Sequence, residues 1–268
     1  MAMSLPEGKT AIPPVLMYHS VTSDRQHRSP WTVHVDRFEQ QMHWLRRQGF
    51  KGVSMQEALG ACRDSSGQRL IGLTFDDGYR DFVECALPVL QQFDFSATAY
   101  VVAGYLGGKS VWSSTDPWKP VLTAEEVREA AAAGIEIGSH GLRHLSLPSV
   151  ATRDLANEIT ESRRILQAVS GQKVSGFCYP FGEHDARVVQ QAQAAGYDYA
   201  CATGCSRFAG HFALPRIYVG NGDSPARLWA KAQRHWLRWE YSGPGSRTIA
   251  NVSAIPTRAK SVLRATLR

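Results

Sequence analysis

The feature that most constrains this chain is a regular exchange of short apolar runs with amphipathic stretches, repeated about seven times between Pro14 and Val219. The runs are Val15–Ser20, Leu70–Phe75, Ala97–Val102, Ile135–Ser139, Val174–Tyr179, Tyr199–Thr203 and Ile217–Val219. Several are continuously apolar, as strands covered on both faces are. Between them, Phe38/Met42/Leu45, Ala86/Leu87/Leu90, Val127/Ala130/Ala131, Leu155/Ile159/Leu166 and Val188/Ala192/Ala195 repeat at helical spacing. Thr123 to Glu126 has the spacing of a capping box, Asp185 stands where a helix cap belongs, and Gly134 and Gly196 stand where helices stop. Such alternation predicts an α/β fold with parallel strands and right-handed crossovers, either a closed barrel or an open doubly wound sheet. No Gly-x-Gly-x-x-Gly follows the first strand and no phosphate-cradling Gly-Lys-Ser/Thr loop occurs, which disfavours the nucleotide-binding versions.

Length and charge narrow the functional classes. A chain of 268 residues buries enough surface for one sizeable core without disulfide staples. The cysteines (Cys62, Cys85, Cys178, Cys201, Cys205) are odd in number and lack the spacing of a structural zinc site, so free thiols in a reducing compartment are expected. Residues 1–10 hold no apolar stretch of the kind a secretion signal needs, so a cytoplasmic protein is expected unless a leader has been removed. The net charge of +6 is uneven: Pro225 to Arg268 carries nine Lys/Arg against Glu240 alone, on an otherwise near-neutral body. The reading is an N-terminal arm (1–13), one catalytic domain (14–222) and a basic, Trp-rich C-terminal extension (223–268). In the extension, Leu228, Trp229, Ala232, Trp236 and Trp239 share one helical face flanked by Arg227, Lys231, Arg234 and Arg238. Such a helix can lie on an anionic membrane surface, although packing on the body is its commoner use. A nucleic-acid enzyme would spread its basic surface around the site, so no nucleic-acid partner is expected. Nothing here sets an oligomeric state.

Polar residues at the strand ends carry the chemistry, because loops at that edge of a parallel sheet converge on sites. Thr74-Phe-Asp-Asp-Gly78 places two carboxylates in succession, so that one can bind a metal while the other faces substrate; a plain turn with a helix-capping aspartate explains it equally well. His140-Gly-Leu-Arg-His144 puts two imidazoles four apart, expected on one helical turn. With Asp77 they make a two-nitrogen, one-carboxylate set with open positions, as a catalytic metal requires. Tyr179-Pro-Phe-Gly182 is a turn that can aim backbone N–H groups into a cleft, or merely connect a strand to a helix. His19, on the first strand, gains meaning only if that strand end abuts the metal.

Together these segments resemble the polysaccharide deacetylases, the NodB-homology carbohydrate esterases. Thr74–Gly78 and His140-x3-His144 with Leu147 are similar to the family's first two motifs, and Tyr179–Gly182 to its third, in matching order from Pro14 to Val219. Leu16-Met-Tyr-His19 resembles the poly-N-acetylglucosamine deacetylase branch, in which the element order is permuted. The chain departs from the commonest pattern at Tyr179, where many members carry an arginine, and lacks the late Asp-Trp and Leu-x-His motifs; Leu214-Pro-Arg216 occupies the latter region. The resemblance implies a distorted (β/α)7 barrel and metal-dependent removal of N-acetyl groups from amino sugars. It implies Asp77, His140 and His144 as ligands of a divalent metal (zinc by default, cobalt or nickel as alternatives), Asp76 as general base and His19 as general acid. The Tyr179 N–H, within the turn of Pro180, Phe181 and Gly182, would hold the oxyanion, with Arg216 beside Asp76 and Trp112 walling the sugar. The substrate would be a carbohydrate bearing N-acetyl groups, on a polymer, an oligomer or a lipid-linked precursor. Deformylation of a lipid-linked amino sugar, hydrolysis of another small amide, and non-catalytic carbohydrate binding are the rival readings.

Overall fold

The computed structural model describes residues 12–27, 29–61, 69–113, 118–203 and 211–241, with side chains as far as Gln233. In chain order the elements are β1 (Val15–Tyr18), β2 (Ser20–Thr22), β3 (Thr32–His34), α1 (Val35–Arg47), β4 (Phe50–Val53), α2 (Met55–Ala61), β5 (Arg69–Phe75), α3 (Leu87–Gln92), β6 (Thr98–Val101), α4 (Ala124–Ala132), β7 (Glu136–Ser139), α5 (Thr152–Ser170), β8 (Gly176–Cys178), α6 (Ala186–Ala194), β9 (Tyr199–Cys201), β10 (Ile217–Tyr218) and α7 (Pro225–Tyr241).

Each of the seven apolar runs contains a strand of one parallel sheet, ordered β10-β1-β5-β6-β7-β8-β9, with β4 added beside β5. Leu214 pairs with Cys201 of β9 and Ile217 with Leu16 of β1, so one short segment bridges β9 and β1 as the sheet curls into a distorted barrel. Three elements of the main fold, β2, β3 and α2, and the flanking β4 have no counterpart in the sequence reading. Strands of three or four residues and a helix of seven are too short to show a period. The Ala86–Leu90 helix begins differently from expectation. Pro88 has no N–H to bond the Glu84 carbonyl in an α-helical pattern, and the turn before α3, Phe82–Ala86, is π-helical. The Thr123 capping box and the Asp185 cap are both formed.

The alternation of side chains along each strand sorts the interior into two compartments. Leu16, Tyr18, Leu73, Phe75, Ala99, Val101, Ile137, Phe177 and Ala200 point outward and pack beneath the helices against Phe38, Met42, Leu90, Val127, Leu155, Ile159 and Val188. Their neighbours point inward, where Val15, Tyr100, Cys178, Tyr199, Cys201, Met55 and Leu214 form a second, smaller core. Two glycines make room for it. A Cβ on Gly138 would lie 2.4 Å from the Tyr100 ring, and one on Gly176 would lie 2.2 Å from the Tyr199 hydroxyl. Buried hydroxyls need partners: Tyr199 donates to Glu136 Oε1 at 2.7 Å, and Tyr100 Oη lies 3.2 Å from Cys201 Sγ. Cys85, Cys178 and Cys201 are free thiols; Cys62 and Cys205 lie outside the described residues.

The extension begins by packing on the body. Leu228 and Ala232 are buried, and Trp229 lies 6.0 Å from Trp44 and 6.1 Å from Phe50, ring to ring. Trp236, Trp239, Arg234 and Arg238 lie beyond the side chains described. Among the described residues, no helix is long and apolar enough to cross a membrane.

Candidate active site and metal centre

The inward parity of the strands, carried past their C-terminal ends, delivers the polar residues to one place. On β5 it runs Gly72, Thr74, Asp76; on β7, Glu136, Gly138, His140; on β1, Val15, Met17, His19. The last sheet-type hydrogen bonds on these strands are Asp76 N–H to Tyr18 O (3.0 Å) and His140 N–H to Val101 O (2.9 Å). Asp77 then leaves the strand direction through a left-handed backbone, φ +73°, followed by Gly78. Gly78 is needed there, because its φ is +64° and a Cβ would lie 2.9 Å from the Val101 side chain.

Residues 140–144 do not form the helical turn expected of a His-x3-His pair. The Gly141 and Leu142 carbonyls accept from Ala103 and Gly104 N–H (3.0 and 2.9 Å), and Gly141 N–H donates to Ser139 Oγ. The carbonyls a helix would use are thus taken by a neighbouring loop, with Gly141 at φ +81° and His144 at +57°. The two imidazoles still converge. His140 Nε2 lies 3.6 Å and His144 Nε2 3.1 Å from Asp77 Oδ1, all three side chains being buried. Asp77, His144 and Phe181 (φ +59°) are all non-glycine residues in the left-handed region, at a cost of about 1 kcal/mol or more each, a concentration of strain typical of functional sites.

These residues fit a divalent cation. Asp77 Oδ1 is buried without a hydrogen-bond partner, yet it is faced by two imidazole nitrogens. His140 Nδ1 bonds the Cys178 carbonyl at 2.8 Å, which assigns its proton there and leaves the Nε2 lone pair toward Asp77. Burial lowers the His140 pKa to about 4, only partly opposed by Asp76 and Asp77, so the ring is a neutral donor at pH 7. Asp77 is held well below the usual carboxylate range: burial would raise it, but His144, His19 and His140 outweigh that. A second grouping, Asp76, His140 and Cys178, fits less well. Burial pushes the Cys178 thiol well up, and Asp76 is already paired.

That pairing is with Arg216. Its side chain climbs inside the barrel from the base of β10, with Nη1 2.6 Å from Asp76 Oδ1 and Nη2 2.7 Å from Oδ2. Thr74 Oγ1, the Ala202 carbonyl and Cys178 Sγ accept its remaining contacts at 3.1, 3.2 and 3.0 Å. Burial would raise the Asp76 pKa, but the Arg216 charge and hydrogen bonds bring it below its ordinary value. His19 sits at the break between β1 and β2, its Nε2 4.0 Å from Asp76 Oδ2 and its ring 4.8 Å from Trp31. Its Nδ1 is buried without a partner, and burial lowers its pKa, partly offset by Asp76 and Asp77.

Trp112 stacks on His144 at 4.8 Å with 18° between planes, and Phe181 meets the same imidazole edge-on at 4.7 Å. The Trp112 indole N–H is buried without a partner. One expectation needs correction: the Tyr179 N–H donates to the Cys201 carbonyl at 3.2 Å, so it is engaged in the sheet and cannot also bind an oxyanion. Pro180 has no N–H, while those of Gly182 and Glu183 bond the Tyr179 and Pro180 carbonyls. The sequence reading gives Trp31 and Cys178 no role, although both touch the site. Cys178 could have been found from its inward parity with Gly176; Trp31 arrives through β3, which left no pattern.

Comparison with known proteins gives the family. The family described as polysaccharide deacetylase matches residues 63–200. YxkH of Bacillus subtilis (strain 168), whose name assigns it to the polysaccharide deacetylases, is 32% identical over 227 residues, 83% of this chain and 76% of its own. The poly-β-1,6-N-acetyl-D-glucosamine N-deacetylase of Escherichia coli (strain K12) is 23% identical over 253 residues, and the match spans 78% of this chain but only 37% of the relative. Among solved structures, the Streptococcus pyogenes deacetylase PplD in complex with acetate superposes with a TM-score of 0.72 at 24% identity, covering 82% of this chain and 97% of that one, a likeness of fold. With the family match, the relative at 32% identity and the strand-end motifs in agreement, the chain belongs to the polysaccharide deacetylases, hydrolases that cleave the N-acetyl amide of sugar polymers.

Proposed function

We propose that this chain is a metal-dependent N-deacetylase of N-acetylhexosamine units, with a poly-N-acetylglucosamine-type glycan as the substrate class. The observation that carries the metal dependence is the buried, unpartnered Asp77 Oδ1 faced by the Nε2 atoms of His140 and His144. The substrate class is supported by the name of the Escherichia coli relative and by the His19 strand-end motif.

Zinc, or cobalt or nickel in its place, bound by Asp77, His140 and His144, would polarise the amide carbonyl and acidify a water molecule. Asp76, kept ionised by Arg216, accepts a proton from the attacking water. As the C–N bond breaks, His19 gives a proton to the departing amine, and the products are acetate and a free amino sugar. Burial lowers the His19 pKa, so its ring is neutral at pH 7 and the proton it gives is the one Asp76 has taken from the water, which leaves Asp76 ionised again. With the Tyr179 N–H engaged, we assign oxyanion contact to the Phe181 N–H, the remaining donor in the turn. Trp112 offers an apolar face and an indole N–H to the sugar.

Acetate release from β-1,6-linked N-acetylglucosamine oligomers, measured before chelation, after it and after zinc or cobalt is restored, tests the proposal. Release that stops on chelation and returns with metal is the expected result. Undiminished release from metal-free protein would overturn the metal dependence, and formate release from N-formyl substrates with no acetate release would favour the deformylase reading.

A further inference from the structure

We infer that Glu158 is a positioning residue for the metal centre: with Arg143 it clamps the loop that carries His140 and His144, and so sets the affinity of the site for its cation. The inference rests on reading Asp77, His140 and His144 as the metal ligands.

Glu158 lies in the middle of α5 on its buried face, between Leu155, Ile159 and Ser162, with none of its side chain exposed. A carboxylate there costs several kcal/mol in lost hydration unless it is well paired. An apolar residue would fill that face without the cost. What Glu158 gains is two bonds to a single loop residue. Oε2 accepts the Arg143 backbone N–H at 3.1 Å, and Oε1 accepts from Arg143 Nε. The Arg143 side chain is itself half-exposed, so the pair does not serve as core filling.

The place of this contact matters. Arg143 directly precedes His144, whose left-handed backbone turns its imidazole toward Asp77. The rest of the loop is held by other groups: Ser139 Oγ by Ser162 Oγ at 2.8 Å, and the Gly141 and Leu142 carbonyls by Ala103 and Gly104. The Arg143 N–H is the handle next to His144, and a side chain secures it. Without Glu158, residues 143–144 can relax toward ordinary dihedrals, which moves the His144 Nε2 off the ligand set. Outer contacts that orient metal ligands are typically worth 10- to 100-fold in affinity.

Zinc affinity, measured by competition with a chromophoric chelator, tests this on the full chain without reference to turnover. Far-UV circular dichroism and thermal melts identify which variants fold. Glu158→Ala should weaken zinc binding by about 10- to 100-fold. Glu158→Gln keeps an acceptor for the Arg143 N–H and should recover much of that loss. Arg143→Ala keeps its own N–H and should lose less than Glu158→Ala. If Glu158→Ala does not fold, Glu158→Gln and Arg143→Ala should each still bind about threefold or more weakly, which is the loss of one of the two clamp bonds. Folded variants that bind zinc as wild type does would overturn the clamp. Wild type that binds no zinc, or binds it equally well after His144→Ala, would overturn the metal-centre reading itself.

Discussion

Asp76 and Glu136 lie inside the barrel at opposite ends, and burial alone pushes both toward the neutral acid. At the catalytic rim Asp76 meets the Arg216 guanidinium in a two-pronged contact and its pKa falls. At the floor Glu136 meets only neutral donors, the Tyr199 and Thr98 hydroxyls and the Gln56 N–H at 2.7, 2.7 and 2.9 Å, and its pKa rises. Hydrogen bonds are plentiful at both ends, so their number does not separate the two. The difference is a cation. A buried acid given a full positive charge stays ionised and can act as a base, whereas one given only dipoles drifts toward protonation and serves the packing of Tyr100, Tyr199 and the start of α2.

The largest expected effect comes from removing the cation. Arg216→Met should lower turnover by about 10²-fold or more, because Asp76 loses the group that keeps it a base. It should also destabilise the fold by about 3–5 kcal/mol, since half of a buried ion pair remains. Glu136→Gln is the control at the other end and should leave turnover within about twofold, its carboxylate being outside the reacting set. Turnover measured at equal metal content, with urea melts, checks both. Next in size is His19→Ala, expected to reduce kcat by about 10²-fold while zinc stays bound, and more so on substrates with poor leaving groups. A wild-type rate in this variant would place the acid elsewhere.

A smaller effect distinguishes the two carboxylates by the sign of their pH dependence. The folded pKa of Glu136 lies above its unfolded value near 4.5, so its contribution to stability is fully present below pH 4.5 and is lost as pH rises through the folded pKa. The stability of wild type relative to Glu136→Gln should therefore fall from pH 4.5 upward, and a difference independent of pH would contradict the assignment. Asp76 carries the opposite sign: its contribution is present above its unfolded pKa and is lost on acidification through the folded one. Smallest is Trp112→Phe, which keeps a ring against His144 and removes the indole N–H. One hydrogen bond to a sugar is worth about 2- to 10-fold in KM, with kcat little changed.

The same contrast explains how far the molecule was legible in its sequence. The seven main strands follow from apolar runs that alternate with helical-period stretches, and the acidic and imidazole residues stand at the ends of those runs, both of which are local properties of the chain. Asp76, Asp77, His140 and His144 stand out for that reason. What escaped was set by tertiary contact. The 140–144 loop is non-helical because Ala103 and Gly104 take its carbonyls, and the Tyr179 N–H is engaged because β9 lies beside it. Trp31 reaches His19 through a three-residue strand. Glu136 reads as an ordinary polar residue opening a strand, and its place on the barrel floor emerges only when Gly138 and Gly176 are seen to admit the two tyrosines.

The most direct test is acetate release by Asp76→Asn beside wild type, each loaded with zinc and assayed at pH 7 on β-1,6-linked N-acetylglucosamine oligomers. The amide keeps the size of the carboxylate and leaves Asp77, His140 and His144 in place, so zinc content should match wild type while turnover falls by about 10²-fold or more. A variant that retains its zinc and deacetylates at the wild-type rate would contradict the assignment of Asp76 as the base that Arg216 holds in readiness.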